Sequence, residues 1–397
     1  MVAQIQPHKS LNTSNLVCPK TRLALTEMSL LEAERSICDG RELVARTGRP
    51  TALGRTPRVL VREDGACAYP IVGDIPVLLG PEMLVPPGAP HPCQPDDDVY
   101  QEAYQELHFY SELAQRNEQN VEQSRQYGNL VGLLAMDEES RKRLPFPREA
   151  TLDSPYEPNS LWDAYSHLTP AQGKTVLQVG GSGSHAMKFL LSGAREAWLV
   201  SPMIAELRFA VRLAERCGVS SRFKVVAAVG EELPFGDSSF DAVLTSGCLH
   251  HMITEVVLPG FHRVLIPGGR FAAVEPWRAP FYGIGTKILG KREREVQCRP
   301  LTKQRCETLF ATFTHAEIRH HGALTRYPLI ALGKLGVSIS LNAAWRITIA
   351  DDAICSLIPP LRRMGSSVAL LGMRPPEHTT RPSQSFVQIA SISRGDA

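Results

Sequence analysis

The sequence lacks any run of about 18 apolar residues, the length a membrane-spanning helix needs. Its opening residues, MVAQIQPHKS, lack the apolar centre of a secretory signal. Neither sign of charge dominates. Lys and Arg number 43 against 41 Asp and Glu, a net charge of +2, without the global basic field usual in nucleic-acid binders, so no nucleic-acid partner is expected. Cysteine is present but unorganised: nine Cys run from Cys18 to Cys355 with no Cys-x-x-Cys pair. That spread indicates reduced thiols in the cytoplasm and no metal centre built on a cysteine cluster. What is there, 43% hydrophobic and 21% charged residues over 397 positions, buries a sizeable core in two or three domains, or in one large domain with additions. It excludes a mainly disordered chain.

Residues 1–14 are polar. From 15 to 86, short apolar runs broken by Gly and Pro predict a small β-containing module, clearest in Tyr69–Leu79, with Thr47–Pro57 as a loop inside it. A Pro-rich linker, Pro86–Pro95, ends in Asp96-Asp97-Asp98, acids that suit a helix N-terminus. Tyr100, Ala103, Tyr104, Leu107, Tyr110 and Ala114 then recur at helical spacing. They form a packed amphipathic helix, or else the tyrosines line a pocket, and 87–159 is read as linker plus helical segment. Residues 160–275 alternate helical patterns with the apolar runs Val176–Val179, Ala197–Val200, Lys224–Ala228, Ala242–Thr245 and Arg270–Val274. This predicts an open, mainly parallel α/β sheet that binds its ligand at the carboxyl ends of the strands.

The strongest local signal is Val176-Leu177-Gln178-Val179-Gly180-Gly181-Ser182-Gly183-Ser184, a strand entering a glycine-rich turn and then a helix, Ala186–Leu191. Small residues admit a ligand close to the backbone, and the helix start offers N–H groups. Gly181 to Ala186 also fits the loose dinucleotide pattern G-x-G-x-x-A, which wants an acid about 20 residues on. The second strand ends Trp198-Leu199-Val200-Ser201-Pro202 without one, so the loop alone does not choose between cofactors.

Downstream, Glu231-Glu232-Leu233-Pro234-Phe235, Ser239-Phe240-Asp241-Ala242-Val243, Leu249-His250-His251-Met252 and Leu265-Ile266-Pro267-Gly268-Gly269-Arg270 follow in order. This set resembles the class I S-adenosylmethionine-dependent methyltransferases, above all the branch acting on small molecules, which includes quinone-biosynthesis enzymes. The resemblance covers about residues 160–275. It implies a Rossmann-like seven-stranded methyltransferase sheet over 160–375. It implies S-adenosylmethionine as cofactor, with Gly180, Gly181 and Gly183 cradling its methionine end and Ser246, Gly247 and Cys248 facing it. Pro267-Gly268-Gly269 is expected as a turn before the fifth strand. The chain departs from the family at three acids: Gln178 ends the first strand, Leu199 stands at the second, and Val229 precedes the Leu-Pro-Phe run. Gln178 and Ser201 are kept as cofactor-binding candidates, and Glu231 or Glu232 as the substitute at adenine. Methyl transfer is a displacement at a sulfonium methyl, served chiefly by alignment and exclusion of water. A base is needed only for a poorly acidic acceptor. His250 or His251 is its candidate, or else the pair packs; Glu275 orients substrate or caps a loop.

The N-terminal module also carries a resemblance. Leu16-Val17-Cys18-Pro19 and Ala68–Leu79 look like a zinc-ribbon-derived family that includes activators of RNA and protein methyltransferases. Thr21 stands where a zinc-binding member has the partner of Cys18, so the resemblance implies a ribbon without metal. Beyond Glu275, Ala316–Gly322 and Ser366–Gly372 read as the two closing antiparallel strands, separated by an insertion, 323–365. Its apolar stretches suggest a wall for an apolar acceptor, a dimer surface, a membrane-surface contact or plain core. Pro280–Arg299, with Tyr282, Lys287 and Arg292, reads as a loop over the site, and 376–397 as a disordered tail. The expected function is methyl transfer to a small, partly apolar metabolite. No stable membrane insertion is expected, and a homo-oligomer is compatible. An RNA-modifying methyltransferase and a non-catalytic binding protein are the alternatives.

Overall fold

The computed structural model describes residues 15–45, 56–89, 98–143, 158–280 and 299–377. The core of the linker, most of the Thr47–Pro57 loop, Tyr282, Lys287, Arg292 and most of the tail lie outside these. The first sheet comprises β1 (Leu25–Ser29), β2 (Val44–Ala45), β3 (Arg58–Arg62), β4 (Ala68–Val72), β5 (Ile75–Pro76) and β6 (Leu84–Val85). Their order is β1-β3-β4-β6-β2, with β5 on β4. The run Tyr69–Leu79 folds as expected: β4 and β5 pair antiparallel across a tight turn at Gly73-Asp74. Between β1 and β2, the Ser29 hydroxyl accepts the Glu32 amide at 3.2 Å and so caps the helix Leu30–Cys38. Cys18 and Cys67 are both buried in this module, with Cys18 Sγ 3.2 Å from the Tyr69 hydroxyl.

The second sheet has seven strands: β7 (Thr175–Val179), β8 (Glu196–Ser201), β9 (Phe223–Ala227), β10 (Phe240–Ser246), β11 (Leu265–Pro276), β12 (Thr314–His321) and β13 (Ser367–Met373). The order is β12-β13-β11-β10-β7-β8-β9. β9, β8, β7, β10 and β11 run parallel, while β13 is antiparallel to β11 and β12. The central strands read as continuous apolar runs because helices cover both faces. Val176 enters one apolar layer with Phe189 and Phe209, and Leu177 and Val179 enter the other with Val257 and Phe261. The edge strand β12 alternates between half-buried and exposed positions over most of its length. Pro267-Gly268-Gly269 is not a turn before β11 but part of it. The register against β10 jumps from Phe240↔Leu265 to Ala242↔Arg270, a bulge that Gly268 accommodates at φ +77°.

The two sheets are joined by main chain. Val77 pairs parallel with Ala227 at the end of β9, and Leu78 donates its amide to the Ala227 carbonyl at 2.8 Å. Leu16 pairs with Phe235, and Val17 donates to the Pro234 carbonyl at 3.0 Å. Leu16, Tyr69, Trp198 and Phe235 share one apolar core. The predicted helix after the acidic run spans Asp98–Gln119 and packs on the helix Ile204–Arg216.

Beyond β12 the insertion forms helices Arg326–Lys334, Leu341–Leu357 and Pro359–Arg362. The second packs on the helix Pro158–Leu168, with the Trp162 and Trp345 rings 5.3 Å apart. His321 ties these pieces together. Its Nε2 lies 3.0 Å from Asp163 and its Nδ1 2.9 Å from Asp352. Burial opposes the imidazolium, but the two carboxylates outweigh it and lift the pKa to about 9. The adjacent His320, half-buried edge-on against Trp277, is pushed down to about 4 chiefly by desolvation. The signs oppose each other. The stabilisation from His321 is complete below pH ~6.5 and is lost as pH rises through about 9. The neutral His320 favours the fold above pH ~6.5 and loses ground as pH falls toward about 4. We expect stability to peak near neutrality and to fall on both sides, by on the order of 3 kcal/mol for each group at the extremes. Denaturant midpoints across pH check this. His321→Gln should remove the loss on the alkaline side specifically.

Candidate functional site

The chain runs outward from β7 to β8 and β9, then returns to β10 on the other side of β7. The strand order therefore reverses between β7 and β10, and a crevice opens at their carboxyl ends. On one side stands the glycine turn. Gly180, Gly181 and Gly183 all have positive φ, at +77°, +73° and +82°. Gly183 is the N-cap of the helix Ser184–Leu191. A Cβ there would come within 3.0 Å of the Ala210 side chain. The turn is therefore open backbone, held close to the sheet.

Gln178 is 2% exposed and stitches the turn to the helix. Its Oε1 accepts the Ala186 amide at 2.8 Å, and its Nε2 donates to the Gly180 carbonyl at 2.8 Å. An amide supplies both an acceptor and a donor, which a carboxylate cannot. The neutral residue at a position where the resemblance implies an acid is thus matched to this particular turn. It is spent on the loop itself rather than on a ligand.

Across the crevice, the loop after β10 carries Ser246, half-buried, and Gly247, exposed. Cys248 leans on the glycine turn so closely that a Cβ on Gly180 would lie 2.5 Å from its sulfur. This loop is held from beneath by Glu275, at the end of β11 and fully buried. Its carboxylate accepts the amides of Cys248 at 3.1 Å, Leu249 at 2.9 Å and His250 at 3.4 Å, and meets His250 Nδ1 at 2.7 Å. Since the carboxylate accepts, His250 donates from Nδ1 and keeps Nε2 as its basic nitrogen. The His250 and His251 rings lie 3.9 Å apart. Arg305 fastens the same loop from outside, donating to the Met252 carbonyl at 2.7 Å. Burial holds its pKa below the usual guanidinium value. Of the two expectations for Glu275, capping a loop is the one the structure meets: it has no exposed surface and its carboxylate holds the loop after β10.

Three more of the candidate residues have partners within the protein. Glu231 accepts the Ile253 amide at 2.9 Å at the start of the helix Thr254–Val264. Glu232 binds Lys20 and the Tyr100 hydroxyl, joining three parts of the chain. Both carboxylates make contacts within the protein. Ser201 is buried, accepts the Met203 amide at 3.2 Å and donates to Glu206 at 2.9 Å. Glu206 was not singled out by the sequence, because it sits one helical turn beyond β8 rather than at its end. The spacing Ser-Pro-x-x-x-Glu was the available signal. A half-buried carboxylate therefore does stand at the carboxyl edge of β8, near the empty acid position at Leu199.

A methyltransferase-domain family profile matches residues 177–273, from β7 to β11. The chain carries a class I methyltransferase domain. Among curated relatives, this domain is 35% identical over 114 residues to the ubiquinone/menaquinone biosynthesis C-methyltransferase of Brucella anthropi, covering 27% of this chain and 43% of that protein. An uncharacterized methyltransferase of Synechocystis sp. is 47% identical over 53 residues, covering 13% and 25%. A probable phthiotriol/phenolphthiotriol dimycocerosates methyltransferase of Mycobacterium ulcerans is 27% identical over 208 residues, covering 46% and 78%. The match thus spans less than half the length of the first two. Among solved structures, geranyl diphosphate C-methyltransferase from Streptomyces coelicolor aligns over 53% of this chain and 76% of its own, at 17% identity and a TM-score of 0.40. S-adenosylmethionine is the cofactor of a methyltransferase domain of this class, and the bare glycine turn fits its methionine end.

Proposed function

We propose that this protein transfers a methyl group from S-adenosylmethionine to a small, partly apolar acceptor. The observation that carries the reading is the crevice at the β7/β10 reversal, where three left-handed glycines face a loop clamped by one buried carboxylate. When bound, the sulfonium cofactor supplies an electrophilic methyl. The chain's own part is positional. The glycine turn, locked by Gln178, would receive the amino-acid end. Glu206, steadied by Ser201, would take the hydrogen-bonding role of the acid absent at Leu199. Ser246 and Gly247 would line the opposite wall. The half-buried His251, its ring tilted against a His250 fixed by Glu275, would take a proton from an acceptor that needs to lose one. Hydrogen bonds to charged groups contribute about 1.5–3 kcal/mol each, so Glu206 bears directly on affinity.

Calorimetric titration with S-adenosylhomocysteine tests the reading. We expect micromolar binding, weakened at least tenfold in Glu206→Gln, about 1.4 kcal/mol. A folded protein that binds nothing at millimolar ligand overturns it.

A further inference from the structure

The insertion 323–365 stands on the carboxyl edge of the second sheet, the edge that carries the crevice. It leaves from His321 and returns at Ser367, residues paired with each other, and Ser367 is also paired with Pro276 at the end of β11. Its long helix, Leu341–Leu357, buries one side and carries aliphatic residues on the other. Ala344, Trp345, Thr348, Asp351 and Cys355 form the buried side. Ile347, Ile354 and Leu357 lie on the outer side, 40%, 43% and 82% exposed. The neighbouring turn adds Leu332, Leu335 and Val337, with Leu335 at 79% the most protruding.

Charge on this surface has one sign. Arg346, Arg362 and Arg363 are exposed. The acids of the segment are Asp351 and Asp352, and both face inward. Asp351 accepts the Leu324 and Thr325 amides, and Asp352 holds His321.

We propose that this face docks on an anionic lipid surface, with the aliphatic side chains entering the interfacial layer and the three arginines meeting headgroup phosphates. Protruding aliphatics among cations, without an exposed acid, are what such a surface binds. A second copy fits poorly, because a two-fold contact would set the cations of one chain against those of the other. A protein partner fits less well, since the exposed apolar set is Leu, Ile and Val, without the aromatic anchors that enrich protein interfaces. No helix among the described residues is long and apolar enough to cross a membrane, so the contact is peripheral. Docking would bring the crevice edge to the bilayer and give it access to lipid-borne acceptors.

The test is co-sedimentation of the full chain with phosphatidylcholine vesicles, with and without phosphatidylglycerol. Binding should require phosphatidylglycerol and weaken with salt. Arg362→Gln with Arg363→Gln should weaken it about fivefold per cation removed. Leu335→Ser with Leu357→Ser should abolish it with an unchanged far-ultraviolet circular dichroism spectrum. Three results overturn the proposal: no binding to either vesicle, binding indifferent to both pairs of substitutions, or a dimer in light scattering that Leu335→Ser dissolves. Vesicle binding needs no cofactor, so this proposal and the methyl-transfer reading fail separately.

Discussion

Glu275→Gln should destabilise the protein by about 3 kcal/mol and abolish cofactor binding. The side chain is fully buried, and its two oxygens serve three amides and an imidazole. An amide keeps one acceptor and turns the other into a donor, aimed either at the Cys248 and Leu249 amides or at His250. Each charged hydrogen bond lost is worth about 1.5–3 kcal/mol, and a buried donor left unpaired adds its desolvation. The loop 248–252 forms one wall of the crevice, so its release reaches the ligand as well as the fold. Denaturant unfolding and S-adenosylhomocysteine titration measure the two effects. An unchanged midpoint would show that the clamp is dispensable. As a control, Asp237→Asn removes an exposed partner of Arg263 and should change stability by less than about 1 kcal/mol.

Gly180→Ala should be nearly as severe. A left-handed alanine costs about 1–2 kcal/mol, and its Cβ would sit 2.5 Å from the Cys248 sulfur and 2.7 Å from the Cys248 Cβ. Overpacking adds about 1–3 kcal/mol. Because the collision is with one side chain, Cys248→Gly in the same chain should restore part of the loss. A coupling above about 1 kcal/mol in the double-mutant cycle is the expected result, read from thermal or denaturant unfolding. Additive effects would mean that the two walls of the crevice do not touch.

Both variants rest on contacts that local sequence conveys unevenly. The five parallel strands were legible because each is a short apolar run between helical patterns, and that pattern survives translation into a sheet covered on both faces. The glycine turn was legible because small residues after a strand have few other uses. The individual roles were not. Gln178 reads as a missing acid until its two hydrogen bonds are seen, since sequence records what is absent but not what the turn needs. Glu231 and Glu232 looked alike in sequence, yet one caps a helix and the other binds Lys20 and Tyr100, residues separated from it by more than a hundred positions. Glu275 looked like a site-edge acid. Its burial follows from the path of the loop after β10, some twenty-five residues earlier. Glu206 escaped because it approaches the strand end through space, from the following helix. In each case the fold followed from periodicity, which is local, while the role followed from a long-range partner.

The pairing of Val77 and Leu78 with Ala227 has a consequence for how the chain can be divided. Without the first 86 residues, the end of the edge strand Phe223–Ala227 would lose its pairing with Val77 and Leu78, leaving that edge of the open seven-stranded sheet bare. A bare strand is a template for pairing between copies. A chain trimmed to its sheet of seven would therefore be prone to assemble edge to edge. The small module thus covers the end of that edge by main-chain pairing.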